Sequence, residues 1–181
     1  MLTRVMRCSA LRSIPEAAWT SAALLIASAV LAAVIGGCAT RGEVEQRTTQ
    51  GPTAQQMLNL RVLEESGREP TFEERRQWDE QIEQRIAAYL RAHPEKVNAL
   101  DVSTFRFLRQ VAVGMDKEQV LILLGAPASI SDDQARMEKI ARRYWPQIQG
   151  NATEVWVYPL GWNLFFAGQR LIDITQFVPP S

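Results

Sequence analysis

The stretch from Gly114 to Pro127 dictates its own conformation more completely than any other part of the chain. Asp116 is a strong helix N-cap, because its carboxylate can accept amide hydrogens left free in the first turn. Gln119, three residues on, can return the bond to the Asp116 amide. Val120, Leu123 and Leu124 then recur at i, i+3 and i+4, which gives one apolar face. Gly125 ends the helix in the left-handed region, and Pro127 prevents a restart. Gly114 permits a turn that residues with a Cβ resist. The expectation is a short helix, punctuated at both ends, with an apolar face to bury.

The C-terminal third of the chain supplies a surface for that face. Thr153 to Tyr158 alternates and is rich in β-branched and aromatic residues. Leu164 to Ile174 reads as two strands around a turn containing Gly168. Pro159 and Gly161 separate this pair from the first strand. Together they predict a three-stranded antiparallel meander, which is stable only under a cover. The preceding helices are the expected cover, so the predicted class is α+β, with N-terminal helices packed on the meander.

Gly114-Met115, Gln119-Val120, Leu124-Gly125, Pro127, Trp156, Tyr158, Phe166 and Gly168 form a pattern that resembles the SmpA/OmlA family, the BamE-like outer-membrane lipoproteins. Asp116 stands where that family usually has Thr, and both residues cap a helix. The resemblance covers Val111 to Phe177. It implies a structural role for these residues, and outer-membrane barrel assembly machinery as the candidate partner. The chain departs from the pattern in two places. One is a helical extension over 53–110. The other is a long excursion over 128–152, in which Asp132-Asp133 can cap another helix running through Ile140-Ala141. The same helix-plus-sheet unit occurs in β-lactamase-inhibitor-like periplasmic proteins. An inhibitor-like module docking on a periplasmic enzyme is therefore the alternative function, since fold does not settle function.

At the N-terminus, Arg4, Arg7 and Arg12 precede an uncharged apolar run from Ala17 to Ile35. A basic start before an apolar stretch is the pattern of an export signal. The run is also long enough to span a bilayer as an uncleaved anchor. Ile35-Gly36-Gly37-Cys38 is similar to the lipobox of bacterial lipoprotein precursors. That resemblance implies cleavage between Gly37 and Cys38, with diacylglycerol and N-acyl lipid on Cys38. Two or more acyl chains anchor stably, where one does not. Ala39 after the cysteine implies sorting to the outer membrane, facing the periplasm. On this reading 1–37 is signal peptide, and 38–52 is a lipidated N-terminus and flexible tether. Residues 53–110 are the helical extension, and 111–181 the family-like domain.

Charge and residue counts exclude other classes. The 181-residue chain balances 20 Lys+Arg against 20 Asp+Glu, and without residues 1–37 the balance is 17 against 19. Neither gives the basic excess that a nucleic-acid partner requires. There is one His, His93, and two Cys. Cys8 is lost with the signal and Cys38 is acylated, so no catalytic residue, metal site or cofactor beyond the covalent lipid is expected. His93, ahead of Pro94, reads as a cap or turn residue.

Within 53–110, Thr53 with Gln56 and Thr71 with Glu74 read as capping boxes. Met57, Leu60 and Leu63 follow the first, with Gly67 as its stop. Trp78, Ile82, Ile86 and Leu90 follow the second. The opposite face of that second helix, with Glu73, Arg76, Asp79, Glu80, Glu83 and Arg85, reads as solvated. Val97, Leu100, Phe105 and Leu108 suggest a third apolar face, weakened at Val102-Ser103-Thr104. Aromatic residues crowd the other end of the chain, and Trp145, Trp162 and Phe165 are the candidate partner surface. Phe165 and Phe166 cannot both point to one side of a strand, so one of them is exposed unless added helices cover both sheet faces. The functional expectation is a non-enzymatic, lipid-anchored periplasmic binding or scaffold protein, acting in outer-membrane protein assembly or envelope maintenance.

Overall fold

A computed structural model describes residues 44–96 and 100–179. Gly37, Cys38, the rest of the expected signal peptide and Val97 lie outside the described residues. In chain order the elements are β1 (Val44–Thr48), β2 (Gln50–Thr53), α1 (Ala54–Ser66), α2 (Phe72–Ala92) and α3 (Leu100–Ser103). A π-helical turn at Thr104–Leu108 leads into β3 (Gln110–Ala112) and α4 (Lys117–Leu124). Then come β4 (Ser129–Ser131), α5 (Gln134–Ala141), α6 (Trp145–Ile148), β5 (Glu154–Tyr158), β6 (Trp162–Ala167) and β7 (Arg170–Val178). The class is α+β. Among the described residues no helix is long and apolar enough to cross a membrane.

The helix punctuation follows the local sequence. Capping boxes form at Thr53/Gln56, Thr71/Glu74 and Asp116/Gln119, with side chain and backbone bonded in both directions at each. Gly67 closes α1 at φ 70°, ψ 10°, the left-handed conformation that glycine takes without Cβ strain. Asp133 caps α5, accepting the Arg136 amide at 2.7 Å.

The meander β5–β6–β7 is present, but it is the centre of a five-stranded antiparallel sheet ordered β1-β7-β6-β5-β4. A second, two-stranded sheet pairs β2 with β3. The expected tether is therefore corrected over Val44 to Pro52. β1 pairs with β7 from Val44↔Val178 to Thr48↔Ile174, and β2 follows directly. β1 is polar because it is an edge strand, held by its backbone ladder rather than by apolar burial. One side chain adds a long-range tie. Arg47 donates to both carboxylate oxygens of the buried Asp173 in β7, Nε to Oδ1 at 2.9 Å and Nη2 to Oδ2 at 2.7 Å.

Both faces of the large sheet are covered. On one face, α1, α2 and α4 bring Met57, Ile82, Ile86, Val120 and Leu123 against Trp156, Leu164, Phe166 and Ile174. On the other, Met137 and Ala141 of α5 and Trp145 and Ile148 of α6 pack against Val155 and Phe165. The excursion over 128–152 thus builds the second cover. Phe165 and Phe166 point to opposite faces and are both fully buried. Trp145 and Trp162 are also buried. The candidate partner surface at Trp145, Trp162 and Phe165 is thereby overturned: these rings are core.

The third helical face also differs from expectation. α3 has four residues before the π turn takes over. The wider turn keeps Phe105 in the core, edge-on to Tyr89 at 5.4 Å, and swings Phe107 and Leu108 outward.

Candidate functional site

The residues of the family-like motif come together where α4 sits on the meander. Gly114 adopts φ 103° and donates its amide to Leu171 O at 2.8 Å. Met115 is buried, and its carbonyl accepts the Leu171 amide at 2.8 Å. The Lys117 amide reaches Gln169 O at 3.0 Å, so the start of α4 is stitched to the β6–β7 hairpin beside Gly168. Gln119, Val120 and Leu124 are buried beneath it. At the far end, Gly125 has φ 76°, but ψ is −163°, in the region open essentially to glycine alone rather than the left-handed helical one. Its carbonyl accepts the Tyr158 hydroxyl at 2.9 Å. Burial pushes the Tyr158 phenol well above its ordinary pKa. Trp156 and Phe166 lie ring to ring at 4.6 Å, with Lys117 over both and ion-paired to Glu154. Pro127 is half-buried after the helix stop. This cluster is packed and structural, and none of its residues lines the cavities found among the described residues at Trp78 or at Asp173.

Tyr89 donates to the Asp116 carboxylate, and Lys96 stands 3.5 Å from the same oxygen. His93 closes α2, donating its amide to Tyr89 O at 2.9 Å, with its ring between Glu95 and Glu118. These contacts hold the end of α2 to the start of α4. Among the described residues no group of three or more His, Cys, Asp or Glu is placed to hold a metal ion.

An open site lies elsewhere, in the helical extension. Two adjoining cavities of about 440 Å³ and 350 Å³ share Gln55, Trp78 and Asp79. Together they make a groove bounded by α1, α2 and the π turn. Phe72 is the first residue of α2, placed by the Thr71/Glu74 capping box; no earlier turn lies beside its ring, and it is 76% exposed. Phe72, Arg75, Arg76, Asp79 and Glu83 follow at helical spacing, so one stripe of α2 lines the groove. Trp78 forms the half-buried floor and Leu58 the buried base. Phe107 (73% exposed) and Leu108 (60% exposed) stand on the opposite wall.

That wall is held in an unfavourable conformation. Arg109 ends the π turn at φ 47°, ψ 40°, a left-handed backbone on a residue with a long side chain. Three contacts fix it there. The Arg109 carbonyl accepts the Ala54 amide at 2.8 Å, and its guanidinium pairs with Asp79 and lies 3.5 Å from Glu83. β3 then pairs at once with β2, through Gln110↔Thr53. Single-turn π insertions and strained backbone recur at functional sites.

Sequence reasoning missed this groove. It assigned the charged stripe of α2 to solvent and Leu108 to an apolar face. One signal was legible: Phe105 and Phe107, two apart, cannot share a helical face. No protein-family model matches the chain, and neither a curated protein nor a solved structure does.

Proposed function

We propose that this chain is a lipid-anchored, non-enzymatic binding or scaffold protein of the bacterial envelope. It sits on the periplasmic side of the outer membrane through lipid on Cys38. Its helix-plus-sheet unit resembles the SmpA/OmlA family, with helices packed on the meander as a rigid platform. The single observation that carries the binding role is the exposed groove. Phe72, Phe107 and Leu108 stand largely in solvent around Trp78, while Trp156, Tyr158, Trp162, Phe165 and Phe166 of the sheet are enclosed. Contiguous exposed apolar surface rimmed by charge marks an interaction site, and aromatic and Arg side chains are the residues that anchor such interfaces.

The test is a photo-crosslinking amino acid at position 107 in the native envelope, with one at the exposed Gln84 as control. A defined protein adduct from position 107, absent from position 84, is the expected result. Adducts of equal pattern from both sites would defeat the reading. If the partner is a soluble enzyme that is still captured by Cys38→Ser, the inhibitor-like alternative replaces the outer-membrane assembly role.

A further inference from the structure

The charges around the groove are divided by side. The π-turn wall, residues 104–109, contains Arg106 and Arg109 and no acid. The α2 side carries Arg75 and Arg76 against Glu69, Glu73, Asp79, Glu80 and Glu83. Pairing within the chain leaves this division uneven. Arg109 crosses to Asp79 and Glu83, Arg76 holds Glu73 at 3.0 Å and Glu80 at 2.8 Å, and Arg75 reaches Glu69 at 3.5 Å. Two arginines thus serve two carboxylates each. Arg106 has no carboxylate partner among the described residues, and its guanidinium lies 5.4 Å over the Phe107 ring. With four cations against five acids, the face as a whole selects neither an acidic nor a basic ligand. It does match itself. A two-fold rotation sets the cationic wall of each copy on the acidic stripe of the other.

Shape is paired in the same way. Phe107 and Leu108 project from the wall beside a recess of about 440 Å³ that contains Trp78. A projection and a recess on one face are what a two-fold contact uses, since each copy both gives and receives. The area is also sufficient. Phe72, Phe107 and Leu108 are 76%, 73% and 60% exposed. A phenylalanine ring offers about 200 Å², so these three side chains leave about 400 Å² of apolar surface per copy. Two copies would enclose about 800 Å², which at the usual apolar share of a homodimer interface implies about 1,200 Å² in total. That reaches the lower bound of specific, stable interfaces. We propose that the groove is a homodimer interface. Two copies pack face to face about a two-fold axis, the Phe107 of each entering the recess over the other's Trp78. The Arg106 of each then lies on the other's acidic stripe. The inference rests on the docking reading of the groove and names a second copy of this chain as its occupant. The strained Arg109 turn serves it by fixing the wall, so that Phe107 is already projected before the copies meet.

The test is sedimentation equilibrium of the full-length protein in density-matched detergent. The expected result is a monomer–dimer equilibrium that ends at two chains. Phe107→Ala should raise its dissociation constant about tenfold or more, and Arg106→Glu should do the same. High salt should weaken the parent dimer and have less effect on what remains in Arg106→Glu. Leu160→Ala, at an exposed site in the β5–β6 turn, should leave the dimer unchanged. Melting temperatures of all variants show loss of fold separately. A monomer at every concentration would overturn the proposal. So would a dimer indifferent to Phe107→Ala, which is how two chains merely sharing a micelle would behave, or assembly that continues past two. The photo-crosslinker at position 107 separates this inference from the reading beneath it. An adduct with the mass of two chains supports both. A monomeric protein whose position 107 captures a different protein refutes the homodimer and keeps the docking groove. A monomeric protein with no specific adduct refutes both.

Discussion

Gly161 is the position where the structure forecasts the largest effect from adding a single carbon. It ends the turn Pro159–Gly161 between β5 and β6, at φ 72°, directly under the Phe177 backbone of β7. A Cβ built there would lie 1.7 Å from Phe177 O and 2.6 Å from its carbonyl carbon. Backbone atoms cannot rotate aside as a side-chain tip can, so the turn or β7 must move. Gly168, in the β6–β7 turn, is the natural control: φ is also positive, at 59°, but nothing lies within 4 Å of its added Cβ. Gly168→Ala therefore isolates the left-handed backbone cost, about 1 kcal/mol. Gly161→Ala carries that cost plus the displacement of packed backbone, for a total of about 3 kcal/mol or more. A gap of about 2 kcal/mol corresponds to roughly 6–10 °C in Tm for a domain of this size. Thermal and urea melts of the two variants, side by side, check it. If Gly161→Ala melts no lower than Gly168→Ala, the close approach of the turn to β7 is wrong, and with it the register at that end of the sheet.

Further predictions concern other links. Arg47→Ala leaves the buried Asp173 carboxylate without its partner and should cost about 1–3 kcal/mol, discounted because Arg47 is itself partly exposed; amide exchange over 44–48 should accelerate more than elsewhere, and uniform exchange would count against β1 as a paired strand. Tyr158→Phe removes the bond to Gly125 O and should cost about 1 kcal/mol; an unchanged urea midpoint would remove that bond from the account of the helix stop. Hydrogen bonds from Arg68, and then from the Thr71 amide and hydroxyl, hold the Glu74 carboxyl at about 2, against an ordinary 4.5. A carboxylate depressed in this way contributes stability that is full above the ordinary value and is lost as pH falls through about 2. Exchange of the first α2 amides should therefore speed up across that window, less steeply in high salt, and show no such step in Glu74→Gln.

How far the sequence could be read depended on the range of the interaction concerned. Three capping boxes and the Gly67 and Gly125 stops were legible because each uses residues within one helical turn or at its immediate end. The meander was legible from alternation. β1 was not: Val-Glu-Gln-Arg-Thr has no apolar pattern, and the residues that make it a strand, Asp173 and the β7 backbone, lie at the other end of the chain. The fate of the aromatic residues was also non-local. Alternation correctly sent Phe165 and Phe166 to opposite faces, but only α5 and α6 decide that the second face is covered. The groove was hidden for a third reason. A π turn moves Phe107 and Leu108 off the helical register on which periodicity counts, and the sequence marks it only by the weak Val102-Ser103-Thr104 stretch and by the two-residue spacing of Phe105 and Phe107.

The pairing of β1 with β7 also sets an order of events. Gln46 and Gln176 bond side chain to side chain, at 2.8 Å, across 130 positions of sequence. The hairpin of β6 and β7 closes through short loops, as does its junction with β5, and contacts of that kind form early. β1 has no partner until the final strand exists. A chain made from its N-terminus must therefore carry this segment unpaired through synthesis of nearly the whole domain. An apolar strand left waiting so long would recruit the wrong edge, and the Glu, Gln, Arg and Thr of β1 make it a poor template for mispairing. The polarity that disguises the strand in the sequence is what allows it to be the last piece to dock.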